Sequence, residues 1–355
     1  MAHLFEKFSI RNTHFRNRII ISPMCQYSSQ NGLPTEWHMV HLGSRAVGGA
    51  GLVMTEATAI SPEGRISTGC AGIWNDEQML VWKKIVSFIK AQGALAGIQL
   101  AHAGRKASMD LPWSKRRLVP ITDGGWLPVA PSAIAYSEDY ALPEEMIESM
   151  IEKVVEDFSN ATKRAIKANF DVIEIHAAHG YLLHEFLSPL SNQRADKWGG
   201  TLENRMRLTL KVCKRLRALW PAEKAIFIRI SATDWMSGGW DPELSVELCK
   251  QVKEIGIDLV DVSSGGVHPE QKIITGPNYQ VPFAEKIKKE TGIAVAAVGE
   301  ITDPEQANEI IKTNKADFIA IARESLRDPY WPRRAAAALK AEITPPLQYG
   351  RAWNG

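Results

Sequence analysis

The feature that most constrains the fold of this chain is a repeated alternation between short apolar runs and longer amphipathic segments. The apolar runs are nearly continuous in Ile, Val, Leu and Ala, which suits strands buried on both faces of a parallel sheet. Strands are predicted at residues 18–24, 51–56, 95–100, 171–176, 225–230, 259–263, 294–298 and 318–321. Helices are predicted at residues 77–91, 144–168, 202–219, 242–255, 280–290, 304–313 and 330–339.

About eight strand–helix units in 355 residues predict an α/β fold, with residues 1–355 forming one TIM-type (β/α)8 barrel domain. An open, doubly wound sheet is the alternative. It is disfavoured because no G-x-G-x-x-G turn follows a predicted strand, which also argues against a Rossmann-type nicotinamide site. Asp241–Pro242 and Asp303–Pro304 each predict a helix start, with an N-cap followed by proline in the first turn.

One stretch, residues 103–142, departs from this alternation and is rich in Pro, Trp and Gly. Long loops in compact domains are usually functional or carry small structure of their own. We therefore expect a loop or lid after the third strand, folded over the barrel mouth. Trp113, Trp126 and Tyr136 favour an ordered segment, because we expect such large rings to be buried.

Composition limits the kinds of partner this chain can have. The net charge of +2, with acids and bases interspersed, argues against nucleic acid and membrane surfaces as partners. No apolar run reaches 18 residues, and residues 1–12 lack the apolar core of a signal peptide. Cys25, Cys70, Cys213 and Cys249 form no CxxC pair or zinc spacing, which fits a reducing, cytoplasmic setting. A small-molecule substrate is the expected partner.

Because barrel enzymes place their active sites at the carboxyl ends of the strands, the residues that end the fourth strand matter most. There, His176 and His179 could donate hydrogen bonds to a developing oxyanion, and Tyr181 could deliver a proton. A metal site is one alternative, although no third ligand has suitable spacing. Purely local hydrogen bonding of both imidazoles is another, and we predict no bound metal.

Arg229 lies within the apolar fifth strand, where a guanidinium is costly without an anionic partner. One interpretation is an ion pair with a carboxylate of a neighbouring strand. The other is a ligand that becomes anionic during turnover, as a reduced flavin does. After the last two strands, Gly299 and Arg323 offer close backbone approach and a forked donor, which suggests a mononucleotide phosphate.

Several longer motifs resemble one family nearly from end to end. The chain is similar to the old yellow enzymes, which are flavin-dependent ene-reductases, and in particular to their small, thermophilic-like subclass. That subclass includes the bacterial NADPH dehydrogenases and xenobiotic reductase A. The most specific matches are Ser22-Pro23-Met24-Cys25-Gln26-Tyr27, Gln99-Leu100-Ala101-His102-Ala103-Gly104-Arg105, His176-Ala177-Ala178-His179-Gly180-Tyr181-Leu182 and residues 186–205.

The resemblance implies bound FMN, with NADPH or NADH as hydride donor and ping-pong reduction of C=C bonds activated by carbonyl or nitro groups. It implies that His176, His179 and Tyr181 are catalytic. The residues that it assigns to FMN are Ser22, Pro23, Met24, Cys25, Ala57, Gln99, Arg229, Gly299, Ala322 and Arg323. The residues that it assigns to substrate are Tyr27, His176, Ala177, Ala178, His179 and Arg351, the last from a neighbouring subunit.

A subunit-crossing Arg351 implies a homodimer or homotetramer, with the tail of residues 345–355 reaching the next subunit. One departure from the family pattern is Ala322, where glycine is usual. If that position needed a positive φ, alanine would strain the phosphate turn. Two other functions stay open at this point, a non-catalytic flavin-binding protein and a cofactor-free barrel lyase.

Overall fold

In the computed structural model of the chain, which describes residues 3–353, eight parallel strands close into a barrel. The predicted barrel is therefore confirmed and the open sheet is excluded. The barrel strands are β1 (Ile19–Ile21), β2 (Leu52–Ala59), β3 (Leu95–Ala101), β4 (Val172–Ala177), β5 (Ile226–Ser231), β6 (Leu259–Ser263), β7 (Ala294–Ala297) and β8 (Phe318–Ile321). Each strand pairs in parallel with the next, and β8 pairs with β1 to complete the ring.

The longer helices pack outside the barrel and bury one face each, whereas the short helix Leu182–Leu187 is buried throughout. They are α1 (Glu36–Val47), α2 (Asp76–Ala91), α3 (Glu148–Lys167), α4 (Leu182–Leu187), α5 (Leu202–Leu219), α6 (Pro242–Ile255), α7 (Val281–Thr291), α8 (Pro304–Lys312), α9 (Arg323–Arg327), α10 (Trp331–Ala338) and α11 (Gly350–Trp353). The two predicted N-caps are confirmed, because Asp241 accepts from the Leu244 N–H and Asp303 from the Gln306 N–H. Of these helices, the sequence analysis missed α1, α4, α9 and α11.

The amino end of the barrel is closed by aromatic side chains. An antiparallel hairpin of strands Phe8–Ile10 and Thr13–Phe15 precedes β1. From it, the Phe15 ring meets Phe318 at 4.8 Å and Phe227 at 6.3 Å between centroids. Phe15, Phe227 and Phe318 are all buried, so this end of the barrel is filled and ligands must use the carboxyl end.

The segment of residues 103–142 is ordered and contains two short 3₁₀ turns, Gly104–Lys106 and Ile121–Asp123. Its strand Val129–Ala130 pairs with Glu144–Glu145, so α3 begins later than predicted. The expectation that Trp113 is buried is wrong, since 67% of it is exposed. Strand predictions also erred at their ends: β1 is shorter than predicted, because Ser22 and the residues after it turn into the site, and β2 is longer.

Candidate active site

Two cavities open at the carboxyl end of the barrel. The inner cavity, of about 410 Å³, is lined by Arg229 of β5, Ser263 of β6, and Gly299 and Arg323 from the loops after β7 and β8. The mouth cavity, of about 470 Å³, is lined by Tyr27, Lys106, Tyr181 and residues of the 103–142 segment. Of the predicted site residues, Arg229, Gly299, Ala322 and Arg323 line the inner cavity, and Tyr27 and Tyr181 line the mouth cavity.

The end of β4 and the loop after it bring together the three residues predicted to be catalytic. The His176 ring lies edge-on to His179, with 5.3 Å between centroids, and edge-on to Tyr181, with 5.0 Å. The turn that makes this possible has positive φ at His179 and Gly180. A Cβ on Gly180 would lie 2.1 Å from the Gly266 carbonyl oxygen, so only glycine fits there. Ala177 and Ala178, between the histidines, are fully buried.

Hydrogen bonds restrict the proton positions on both imidazoles. His176 Nδ1 accepts from the Ala178 N–H at 3.3 Å, which leaves Nε2 of a neutral ring as the donor. His179 Nε2 lies 2.7 Å from Ser263 Oγ. Ser263 Oγ also donates to Gln280 Oε1 at 3.3 Å. When the Ser263 hydroxyl turns to His179 Nε2 instead, the proton of neutral His179 is on Nδ1 and is available to a substrate oxygen.

Burial sets the charge state of this cluster. It lowers the pKa of both His176 and His179 well below the usual range, and the nearby Arg229 guanidinium lowers each further. Burial likewise raises the pKa of the Tyr181 phenol, with Cys25 and Tyr27 adding to the effect. At neutral pH the site therefore presents neutral N–H donors and a protonated phenol.

Arg229 has the ion pair that the sequence analysis considered as one interpretation. Its Nη1 lies 3.4 Å from Asp261 Oδ2 on β6, and only 7% and 2% of these side chains are exposed. Yet Arg229 Nε and both Asp261 oxygens have no hydrogen-bond partner among the described residues. Arg229 also lines the inner cavity, so the pair leaves the guanidinium accessible to a ligand.

A second buried carboxylate lies behind the same region. Glu174 of β4 accepts a hydrogen bond of 2.8 Å from the Gln99 amide of β3. Burial, with the nearby Asp261 adding to it, raises the pKa of Glu174 to about 8. Burial also raises the pKa of Asp261, whereas Arg229 lowers it. Arg229, Asp261 and Glu174 thus form a compact group of ionisable side chains beneath the cavity.

The residues after β1 form the opposite wall. Ser22 is 1% exposed, and its hydroxyl has no hydrogen-bond partner among the described residues. Pro23, Met24 and Cys25 follow as a half-buried turn. The pKa of the Cys25 thiol is raised by burial. Ala57 of β2 pairs in register with Gln99 and lies on the same side of the barrel.

The far end of the inner cavity carries the predicted phosphate residues. Gly299 has φ +128°, and a Cβ there would lie 3.0 Å from the Tyr279 ring and the Gln280 amide. Arg323 is 70% exposed, and its Nη2 lies 3.8 Å from Glu300 Oε1. Ala322 has φ −107°, so the strain considered for a positive φ does not arise.

Several residues at this end of the barrel were not singled out from the sequence. Asp261 is a lone acid in the strand Leu259–Ser263, and its position opposite Arg229 emerges only from the register. Lys106 donates to the carbonyl oxygens of His179, at 2.9 Å, and of Gly266. Burial lowers the Lys106 pKa to about 7. A lysine in the run Gly104–Lys106, next to an arginine, gave no signal by itself.

Beneath the catalytic turn lies a second group of residues that the sequence analysis missed. His184 Nδ1 accepts from the Gly180 N–H at 2.8 Å, and its Nε2 lies 2.9 Å from Asp234 Oδ1. Ser188 donates to the other Asp234 oxygen at 2.6 Å. These fully buried contacts hold the turn that carries His179 and Tyr181.

The predicted substrate residue Arg351 is exposed on α11 and lines neither cavity of its own chain. The tail was predicted to span residues 345–355, of which 354 and 355 lie outside the described residues. Elsewhere in the described chain, no helix is both long and apolar enough to cross a bilayer.

The two ends of the site together match the parts of a flavin mononucleotide. Arg229 and the Ser22 hydroxyl, which lacks a hydrogen-bond partner among the described residues, suit the polar edge of a flavin ring. The turn at Gly299, together with Arg323, suits a phosphate. A ligand bound here would satisfy Ser22 Oγ and Arg229 Nε, which are buried and have no hydrogen-bond partner among the described residues. The residues present therefore fit FMN.

Comparison with known proteins gives the same result. A family model described as "NADH:flavin oxidoreductase / NADH oxidase family" matches residues 3–342. The NADPH dehydrogenase of Geobacillus sp. (strain WCH70) is 46% identical over 353 residues, covering 99% of this chain and 98% of that protein. A structure of morphinone reductase in complex with tetrahydroNAD is 27% identical, covers 97% of this chain and 92% of its own, and has a TM-score of 0.78. An old yellow enzyme homologue from Zymomonas mobilis is 27% identical over 97% of this chain and 95% of its own, with the same TM-score of 0.78.

Proposed function

The chain belongs to the NADH:flavin oxidoreductase / NADH oxidase family and is an FMN-dependent enzyme that uses NADPH or NADH, and we propose that it is an ene-reductase. Its substrates would be C=C bonds conjugated to a carbonyl or nitro group, reduced in ping-pong fashion. The observation that carries this proposal is the cluster of His176, His179 and Tyr181 at the carboxyl end of β4. Membership of this family sets aside the two alternatives, a non-catalytic flavin protein and a cofactor-free lyase.

When bound, FMN supplies the redox chemistry, accepting a hydride from the nicotinamide and passing one to the β-carbon of the acceptor. The Arg229 cation, Gln99, Ala57 and the turn of Ser22 to Cys25 would hold its ring. Gly299, Ala322 and Arg323 would hold its phosphate. A positive charge beside the ring edge favours the more negative state of the cofactor, which is the role we assign to Arg229.

The two imidazoles would bind the acceptor's carbonyl or nitro oxygen. Because both pKa values are lowered, they donate as neutral groups and need no protonation to do so. Donors fixed in position are most useful where negative charge develops, as on this oxygen during hydride attack. Tyr27 lines the same mouth cavity and would assist binding.

Tyr181 would protonate the α-carbon of the acceptor. It lies 5.0 Å from the His176 ring between centroids and lines the mouth cavity, so the acceptor would lie against it. Burial keeps its phenol protonated at neutral pH. A positioned acid of this kind typically accelerates a reaction about 10²- to 10⁴-fold.

We further propose a cytoplasmic homodimer or homotetramer in which Arg351 enters the neighbouring subunit's site. The motivating features are the free thiols and the exposed position of Arg351 on α11. Deleting residues 349–355 and measuring both the oligomer mass and the acceptor's Michaelis constant tests this. An unchanged Michaelis constant would contradict it.

The central test is anaerobic stopped-flow reduction of the FMN-loaded protein by NADPH and NADH, followed by mixing with an acceptor panel. We expect rapid bleaching by a nicotinamide, then reoxidation by enones, enals, maleimides or nitroalkenes. Reoxidation by oxygen alone, with none of these acceptors competent, would refute the ene-reductase assignment while leaving the NAD(P)H oxidoreductase intact.

A further inference from the structure

An exposed tryptophan lies beside the mouth cavity. Trp113 is 67% exposed, and its ring meets Tyr27 edge-on with 6.2 Å between centroids. Tyr27 itself lines the cavity next to Tyr181. Since a large apolar ring is normally covered, a tryptophan this exposed at the mouth has surface available to a flat ligand.

Four cations belong to the same rim, and two of them already have partners. Lys106 donates to carbonyl oxygens of the catalytic loops, and its pKa is lowered by burial. Arg116 is held by Asp110 at 3.2 Å and by Asp123 at 2.6 Å. Neither is therefore available to an incoming anion without losing these contacts.

The other two rim cations are available. Arg117 is 69% exposed and lies 3.8 Å from Asp139, at the limit of an ion pair. Lys115 is exposed and lies within ion-pair distance of no carboxylate in residues 3–353. Both line the mouth cavity. We call Trp113, Lys115 and Arg117 the lid patch.

We propose that the lid patch binds the phosphorylated adenosine diphosphate of NADPH, with adenine on Trp113 and the ribose 2′-phosphate on Lys115 and Arg117. This rests on the proposed function, because it concerns the donor that reduces the enzyme. Adenine stacks well on an aromatic face, and a guanidinium binds phosphate through a fork of N–H groups. NADH has the same adenine but lacks the 2′-phosphate, so the patch would select NADPH.

Coenzyme A carries the same chemistry, because its adenosine diphosphate bears an extra phosphate at the 3′ position. An acceptor presented as a coenzyme A thioester could therefore use the same surface. The donor is favoured because every turnover uses a nicotinamide nucleotide, whereas an acceptor would carry coenzyme A only as a thioester. The two sources differ in the phosphate position and can be separated with 2′,5′-ADP and 3′,5′-ADP.

The test is the double variant Lys115→Gln/Arg117→Gln in the FMN-loaded enzyme, with Lys83→Gln/Lys84→Gln as a charge-matched control on exposed positions of α2. The rate of flavin reduction is measured against NADPH and NADH concentration. We expect kcat/KM for NADPH to fall about tenfold and that for NADH to change less than twofold, because two exposed cation–phosphate contacts are lost. Inhibition by 2′,5′-ADP should weaken by the same factor, and more at low salt.

Trp113→Ala provides an independent measurement. It should weaken NADPH and NADH equally, because both contain adenine, with no change in the maximal rate of flavin reduction. An unchanged NADPH:NADH ratio in the double variant overturns the proposal, as does weaker inhibition by 3′,5′-ADP alone. If neither NADPH nor NADH reduces the flavin of the wild-type enzyme, both the proposed function and the lid-patch proposal fail. If both reduce it equally well, only the lid-patch proposal fails.

Discussion

Arg229 of β5 and Asp261 of β6 are direct partners in strand register, and their side chains meet at 3.4 Å in the barrel interior. Asp261 thus partly neutralises the charge of Arg229, which is the cation that we assign to the flavin ring. Asp261→Asn should therefore raise the midpoint potential of bound FMN, because Arg229 would then act undiminished on the reduced cofactor. Potentiometric titration with redox dyes measures this, and an unchanged or lower potential would argue against Arg229 contacting the flavin.

The same substitution should also destabilise the protein before it binds FMN. Breaking a buried ion pair at one partner typically costs about 3–5 kcal/mol, because the other charge remains uncompensated. Denaturant unfolding of the apoprotein gives the free energy of unfolding, with Asp261→Glu as the variant that keeps the charge. We expect FMN to restore part of the loss.

Tyr181→Phe should separate the two halves of the catalytic cycle. We expect reduction of the flavin by NADPH to keep its rate, and reoxidation by an enone to slow about 10²-fold or more, because only the second half needs an acid. Stopped-flow spectroscopy measures each half alone. Tyr136→Phe, whose ring covers Lys106 at 4.1 Å, is the matched control and should change neither. Equal losses in both halves would remove Tyr181 as the acid.

The histidine pair should make acceptor reduction insensitive to pH in the range where histidine normally titrates. The pKa of both His176 and His179 is lowered, so both rings stay neutral donors above and below pH 6.5. The rate of reoxidation by a neutral enone should show no histidine-dependent break between about pH 5.5 and 7.5. A break that Lys106→Gln removes would belong to Lys106, whose pKa is lowered to about 7. A sigmoidal step near 6.5 would mean that a charged imidazolium takes part. His176→Ala should lower the rate across the whole range.

The two charged residues at the phosphate end predict opposite effects on cofactor binding. Arg323→Gln should weaken FMN about tenfold and leave riboflavin unchanged, because only FMN has the phosphate. Glu300→Gln should strengthen FMN binding, because Glu300 lies 3.8 Å from Arg323 and competes with the phosphate for it. Fluorescence titration of the apoprotein with both flavins measures this. Parallel changes for FMN and riboflavin would place the phosphate elsewhere.

Glu185 should make stability depend on pH in a definite direction. Burial raises its pKa to about 8, so the folded protein holds this proton where the unfolded chain, with a pKa near 4.5, has lost it. The folded state then binds more protons, and this contribution to stability is lost as pH rises from about 4.5 to 8. Glu185→Gln should remove a slope of up to about 1.4 kcal/mol per pH unit from the unfolding free energy. An identical slope in wild type and variant would show that Glu185 is ionised when folded.

The barrel could be predicted from sequence because its strands are buried on both faces and therefore appear as apolar runs. The helix α1 could not, because its helical signal is interrupted by Gly43 and Ser44 and its start depends on a cap at Thr35. Trp113 was misjudged because residue type alone says nothing of whether a loop covers the ring or presents it.

Site residues that follow a single strand could be predicted from the sequence. Site residues that are brought together by pairing between strands could not. His176, His179 and Tyr181 could be grouped because they follow one strand within six residues. Asp261 could not be placed beside Arg229 without the register of β5 and β6. The contact between His184 and Asp234 beneath the catalytic turn joins residues 50 apart in sequence, so only the folded chain reveals it.

Phe15, Phe227 and Phe318 fill the amino end of the barrel, so ligands can enter only at the carboxyl end. Donor and acceptor would therefore both arrive at the carboxyl end, which fits the ping-pong reduction that we propose. A surplus of either reactant should then slow turnover by occupying the form of the enzyme that awaits the other. The ping-pong alternation that we propose is thus compatible with access from one end of the barrel and requires no moving gate.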